Sequence, residues 1–459
     1  MSVSGLGAMS ESTNDSPMAL SRDRLRDKLT ESMAAAVPPR IARDVRVPTI
    51  PGKALAVVGI RRGGKTSLLH RRMADHIAAG RSRESQLLLE LEDERLDGMT
   101  AADLGWIVEE HARRYPHVRR GGADGGTLWL YLDEVQVVPK WETLVHRLLA
   151  AGNIEIAVSG SSAKLLSREV ATSLRGRAMD VLVHPFSFRE ALRYAGAETD
   201  LPWEQLTGPQ RATLDAALQQ YLTVGGFPEA QQTDAQDRLD LLTGYVDTMV
   251  LRDVIERHNV TNVRALRWLQ RHLLAAPGGS VSVNKLYDDL KSQGIGVGKD
   301  NVYAYVEYFE DAFLLRSITM HSTSERQRMS NPRKVYPVDT GLISIYERSG
   351  RTHRGRALET AILLELERRR YAIDWFRTVE GWEVDFYVTR PDAAPLLIQV
   401  CLDTAADATW AREVRALESA AASQPDADAM LITLDPTPPA RELPGRLRWA
   451  PAAQWLLER

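Results

Sequence analysis

The stretch Gly59-Ile60-Arg61-Arg62-Gly63-Gly64-Lys65-Thr66 constrains this chain more than any other. It follows the apolar run Ala54 to Val58 and precedes a helical repeat of Leu69, Met73 and Ile77, so the pattern predicts strand, tight loop and helix. A loop of that kind binds phosphate. Gly59, Gly63 and Gly64 let the backbone wrap a triphosphate with N–H groups pointing inward, and the helix opening at Thr66 and Ser67 adds its positive end. Ile60, Arg61 and Arg62 complete the loop. Lys65 has the reach for the β and γ phosphates, and the Thr66 hydroxyl suits the magnesium ion that bridges them.

A second apolar run, Leu128 to Leu132, shows no alternation, which predicts a parallel strand buried on both faces. It ends in Asp133-Glu134. Beside a phosphate loop, Asp133 is expected to hold magnesium, usually through water, and Glu134 to polarise the water that attacks the γ phosphate. A further strand, Ile154 to Val158, runs into Ser159-Gly160-Ser161-Ser162. Ser159 and Ser161 are candidates for orienting the attacking water; the alternative is an ordinary helix cap made by Ser161 or Ser162. The strand Gln86 to Leu91 leads into Glu92-Asp93-Glu94-Arg95, acids that either contact nucleotide or metal or form a solvated strand end.

At 459 residues the chain predicts about three domains, and 44% hydrophobic with 26% charged residues predicts a soluble globular protein. Fifty-eight basic and sixty-one acidic residues leave a net charge of -3, so any polyanion must be met by a local basic patch. The single cysteine, Cys401, excludes an internal disulfide framework and a cysteine-based zinc site. A reducing cytoplasm fits. Neither a signal peptide nor a membrane span is expected.

The chain resembles the AAA+ ATPases, specifically prokaryotic AAA-14-like members near the STAND and origin-recognition groups. The resemblance rests on residues 59–66, on Leu132-Asp133-Glu134-Val135-Gln136, and on Val158-Ser159-Gly160-Ser161-Ser162. It continues in Leu174-Arg175-Gly176-Arg177, Pro185-Phe186-Ser187-Phe188-Arg189-Glu190 and Val224-Gly225-Gly226-Phe227-Pro228. It implies ATP as the nucleotide, Mg2+ as the metal, and a homo-oligomer, a ring such as a hexamer. It also implies that Arg175 or Arg177 completes the site of a neighbouring subunit, the alternative being a salt bridge within the ATPase core. Gly226 and Pro228 look like the lid turn that brings backbone near the adenine.

The expected fold class is α/β: a P-loop AAA+ parallel-sheet ATPase core with a helical lid, a winged-helix domain and a C-terminal α/β restriction-endonuclease-like domain. Residues 1–20 are expected to be a flexible tail, 21–50 a helix and linker, 51–195 the core and 196–275 the lid. Residues 276–338 have the helix, turn, helix, strand order of a winged helix. Its second helix would present Lys299, Asn301, Tyr303 and Tyr305 to DNA, and its wing Arg326, Arg328, Arg333 and Lys334. Five basic residues and one acid between Arg316 and Lys334 make this the best local polyanion site, although Glu307 and Glu310 would repel phosphates and such modules also dock proteins.

Residues 339–459 carry Glu359, Glu383-Val384-Asp385 and Gln399-Val400-Cys401, which look like the skeleton of a PD-(D/E)xK nuclease. An active member has a second carboxylate and a lysine where Gln399 and Cys401 stand, so a degenerate, non-cleaving domain is expected. Cys401 is expected to be a core residue. The leading expectation is a magnesium-dependent ATPase working between subunits and coupled to binding or remodelling of DNA, including branched or forked DNA. The rivals are a STAND-like switch that docks a protein partner and an ATP-dependent nuclease.

Overall fold

Strands that are apolar at every position need cover on both sides, and helices supply it here. The computed structural model describes residues 20–119, 126–160, 176–330, 332–346 and 353–458. Five parallel strands, β1 (Ala54–Val58), β2 (Gln86–Glu90), β3 (Leu128–Asp133), β4 (Ile154–Gly160) and β5 (Ala178–Leu182), form one sheet in the order β2-β3-β4-β1-β5. Ala54, Ala56 and Val58 face a core shared with Leu25, Leu104 and Leu144 from the helices Arg22–Ala34, Ala101–Arg114 and Trp141–Ala150. Leu55 and Val57 face the other way, onto Leu68, Leu69 and Met73 of the helix Lys65–Ala78. The missing alternation in the sequence is the signature of this double covering.

The strand order matters for chemistry. Because β4 lies between β1 and β3, the end of β4 stands between the phosphate loop that follows β1 and the acids that end β3. The ligand crevice of an open parallel sheet lies at the carboxyl ends of its strands, which is where all three features meet.

Helices Gly208–Val224 and Ala235–Met249, a π-helical turn Val250–Glu256 and the helix Val263–Ala275 follow. Next come β6 (Ser280–Val281), the helices Val283–Ser292 and Lys299–Asp311, β7 (Leu315–Ile318) and β8 (Arg333–Pro337). The three strands pair antiparallel in the order β6-β8-β7, which makes β8 central. A short helix, Glu325–Ser330, lies in the connection where an extended wing is expected, consistent with the helix-favouring run Glu325-Arg326-Gln327-Arg328-Met329.

A separate mixed sheet occupies the C-terminal part, ordered β13-β12-β11-β10-β9. Its strands are β9 (Ala372–Arg377), β10 (Glu383–Arg390), β11 (Ala393–Cys401), β12 (Asp428–Thr433) and β13 (Leu447–Pro451). β9, β10 and β11 run antiparallel, while β11, β12 and β13 are parallel. Leu358, Ile362 and Leu366 of the helix Arg354–Arg368 cover one face, and Val414 and Leu417 of the helix Asp407–Ser423 cover the other. Cys401 is buried at the end of β11, as expected, and burial pushes its thiol up to about 12. Among the described residues no helix is long and apolar enough to cross a membrane.

Candidate active site

The phosphate loop closes tightly on one glycine with no room for a side chain and on another in the left-handed backbone region. At Gly59 a Cβ would collide with the Val183 carbonyl oxygen, and at Gly64, with a φ of 102°, it would meet Arg43 Nη1 at 2.8 Å. The ammonium of Lys65 turns back over the loop, donating to the carbonyl oxygens of Gly59 at 3.3 Å and Ile60 at 3.2 Å. It also stands 3.6 Å from Glu134 Oε1.

Thr66 Oγ1 donates to Asp133 Oδ2 at 2.7 Å, so the loop and the acid pair are in direct contact. Ser159 occupies the position that strand order gives it: its hydroxyl donates to Asp133 Oδ1, and it accepts the backbone N–H of Glu134 at 3.1 Å. Burial pushes the Asp133 carboxyl above its ordinary range, partly offset by the Ser159 and Thr66 hydroxyls. Burial acts the same way on Glu134, but Lys65, Gln136 and Arg61 outweigh it and hold that carboxyl down, so it is ionised. Gln136 Nε2 donates to Glu134 Oε2 at 2.5 Å. Glu134 itself has a φ of 52°, an uncommon backbone conformation for such a residue.

Lys65, Thr66, Asp133 and Glu134 open on one cavity of about 1110 Å³. Arg61, Arg62, Gly64, Lys65, Thr66, Ser67, Asp133 and Glu134 contribute its polar lining, while Pro39, Ile41, Phe186, Tyr194 and Pro228 contribute apolar surface. The loop arginines reach across to the helices beyond the core. Arg61 Nε pairs with the buried Asp253 of the π-helical turn at 2.8 Å, and Arg62 Nη1 pairs with Glu229 at 3.1 Å. Glu92 stands 3.4 Å from Arg61 and 3.7 Å from Arg252 at the cavity wall, whereas Asp93 pairs with Lys28 at 2.8 Å.

Several expected residues lie elsewhere. Ser161 and Arg175 fall outside the described residues. Arg177 is exposed at the start of β5, whose register places Ala178 beside Ala54, so it sits at the opposite end of the strands from its own phosphate loop. Gly226 does not line the cavity. It is packed against the Phe186 backbone, its carbonyl accepts the Phe186 N–H at 2.7 Å, and its own N–H donates to Asp339 Oδ2 at 2.6 Å.

The expected DNA-facing set is divided. Lys299, Asn301, Tyr303 and Arg326 are exposed, but Tyr305 is buried. Arg328 stands 3.6 Å from Asp374 and Arg333 3.9 Å from Glu310, while Arg316 is held by Glu367 at 2.7 Å. Lys334 must be corrected outright: at 2% exposure, on the central strand β8, its ammonium faces carboxylates of the C-terminal sheet and cannot meet a phosphate.

Two further features, a buried ion pair and a buried carboxylate, went unassigned in the sequence. Arg43 and Glu190 form a buried pair at 2.8 Å behind the loop, with Arg43 Nη1 donating to the Gly63 carbonyl at 3.2 Å. Ser187-Phe188-Arg189-Glu190 is a capping box, a local signal for Glu190, but nothing near Arg43 announces it. Asp339 is the other. It also accepts the Gly341 N–H, at 2.9 Å, and burial pushes its carboxyl up to about 7.

Residues 51–192 match the model of the AAA domain, and residues 215–350 match a domain of unknown function, DUF8612. The uncharacterized protein MJ1544 of Methanocaldococcus jannaschii is 30% identical over 384 residues, which is 83% of this chain and 81% of that protein. The chain belongs to the MJ1544 family. An uncharacterized protein of Haemophilus influenzae is 26% identical over 349 residues, covering 76% of this chain and 82% of its own length. Among solved structures, the Walker-type ATPase PABY2304 of Pyrococcus abyssi is 17% identical, with a TM-score of 0.38 over 72% of this chain and 96% of that one. Within the MJ1544 family member described here, the AAA match spans all five strands of the parallel sheet, from Ala54 to Leu182. The second match spans both Gly226 and Asp339, the partners that join the segment 225–227 to the residues just beyond β8.

Proposed function

We propose that this protein hydrolyses ATP with magnesium. The observation that carries the proposal is the 2.7 Å contact between Thr66 and Asp133 on a cavity that Lys65 and Glu134 also line. Hard oxygen donors of that kind suit Mg2+, which would be held by Thr66 and Asp133 and would supply neutralisation of phosphate charge. Lys65 would exchange its contacts with Gly59, Ile60 and Glu134 for phosphate oxygens. Glu134, ionised and steadied by Gln136, would accept a proton from the attacking water. Ser159 orients both acids. Pro39, Ile41, Phe186, Tyr194 and Pro228 supply apolar surface for the base.

Arg177 would act only in a neighbour's site, because it is remote from its own. On this reading turnover would take place at subunit interfaces of a homo-oligomer. Coupling to DNA would use Lys299, Asn301, Tyr303 and Arg326, the exposed part of a winged-helix-like module. The remaining expected contacts are already paired within the chain, which favours a weak, salt-sensitive DNA interaction.

Turnover measured with and without single-stranded, duplex and branched DNA tests this. Glu134→Gln should bind ATP normally and lose ~10²-fold or more in turnover. Full turnover in that variant would remove Glu134 from the chemistry. DNA stimulation that Arg326→Ala weakens would support the DNA reading, and absence of any DNA effect would favour the protein-docking switch.

A further inference from the structure

Lys334 is buried and meets three acids at once. Its Nζ lies 2.9 Å from Glu383 Oε1, 3.1 Å from Asp385 Oδ1 and 3.5 Å from Glu359 Oε1, and it faces the Trp375 ring at 6.0 Å. Each acid comes from the C-terminal sheet or the helix that covers it, whereas the lysine comes from β8 of the three-stranded sheet.

In a nuclease of the PD-(D/E)xK kind, carboxylates so disposed hold a divalent cation. The donor set here does not fit one. Gln399 is neutral and is committed elsewhere, accepting the Asp385 N–H at 3.3 Å and donating to Glu413 at 2.7 Å. Cys401 carries a thiol that burial keeps protonated. The carboxylates already have partners within the chain: Tyr336 donates to Glu359 at 2.7 Å, and the Val400 N–H donates to Asp385 Oδ2 at 3.0 Å.

We infer that the Lys334 ammonium is a resident counter-ion that stands where a divalent cation would otherwise sit, making this cluster a fixed joint between the two sheets and not a cleavage centre. A metal ion could enter only by expelling the buried positive charge, and like charges would repel it until then. This inference is independent of the ATPase proposal, since none of these residues lines the nucleotide cavity.

Terbium is a suitable probe, because Trp375 beside the cluster would sensitise its emission. The full-length wild-type chain should give no saturable sensitised emission that Asp385→Asn removes. Lys334→Ala should gain such a signal, and adding Asp385→Asn to that variant should abolish it. A circular dichroism spectrum and a protease-resistance pattern matching those of the wild type would show that Lys334→Ala is folded. A wild-type signal that Asp385→Asn removes would overturn the inference, as would its absence from a folded Lys334→Ala chain. Should that variant fail to fold, reductive methylation of the wild type decides: Lys334 should stay unmodified until the chain is denatured, and modification in the native state would overturn the joint.

Discussion

Replacing Arg43 by Met tests whether the phosphate loop rests on a buried charge. Arg43 and Glu190 have side-chain exposures of only 4% and 3%. Glu190 Oε1 accepts Arg43 Nε at 2.8 Å and the Asp44 N–H at 2.7 Å, while Oε2 accepts the Ser187 N–H at 2.9 Å. The same guanidinium donates to His184 O at 2.6 Å and to Gly63 O. Removing it leaves a buried carboxylate with backbone partners only, which should cost ~3–5 kcal/mol. Arg43→Met with Glu190→Gln should recover most of that, since glutamine still completes the capping box.

The pH dependence gives a second check. Burial raises the Glu190 pKa, but Arg43 outweighs it and the carboxyl lies below its ordinary value in the wild type. Its contribution is therefore present above the unfolded pKa and is lost as pH falls through the folded one. Without Arg43 burial is opposed only by the Arg368 charge and backbone donors, so the carboxyl rises and the variant should lose stability relative to the wild type as pH rises. Its deficit should be larger at pH 8 than at pH 5. Hydrogen exchange at β1 and the loop amides reads local opening free energies without assuming two-state unfolding of a chain this size. A deficit below ~1 kcal/mol, or one that ignores pH, would refute the reasoning.

Ser159→Ala leaves the Glu134 N–H and one Asp133 oxygen without their hydroxyl partner, and should lower kcat by ~10-fold to 100-fold, with Ser159→Thr restoring part of it; a kcat within about twofold of wild type would deny the role. Asp339 is a raised carboxyl, so its relative stabilisation is present below its unfolded value and is lost as pH rises through about 7. Asp339→Asn cannot titrate. Its Tm should fall less than that of the wild type between pH 5 and pH 8, and parallel curves would contradict the assignment.

The phosphate loop and the Asp133-Glu134 strand end were legible because their chemistry is local: glycine spacing, an apolar run and a terminal acid pair all lie within short stretches. Ser159 was legible only as an alternative to a cap, and strand order resolved where it stands. Arg43 and Asp253 were not, because each acquires meaning from a partner far along the chain, Glu190 and Arg61. Lys334 misled for a related reason. A lysine in a basic stretch reads as solvated, and only the central placement of β8 and the carboxylates of another sheet reveal it as buried. Gly226 was read as part of a lid turn near the base, but its packing against the Phe186 backbone and its N–H bond to Asp339 come from partners far along the chain.

The placement of Lys334 and Asp339 near opposite ends of β8 bears on how the polypeptide can be divided. A cut between Val338 and Asp339 would look harmless, since it falls at the end of a strand. The downstream fragment would inherit Glu359, Glu383 and Asp385 without the ammonium that lets them lie together, and the upstream fragment would keep Gly226 without the carboxylate that receives its N–H. Each piece would therefore start life with an injury at its newly bared surface, and the two should survive proteolysis together far better than apart.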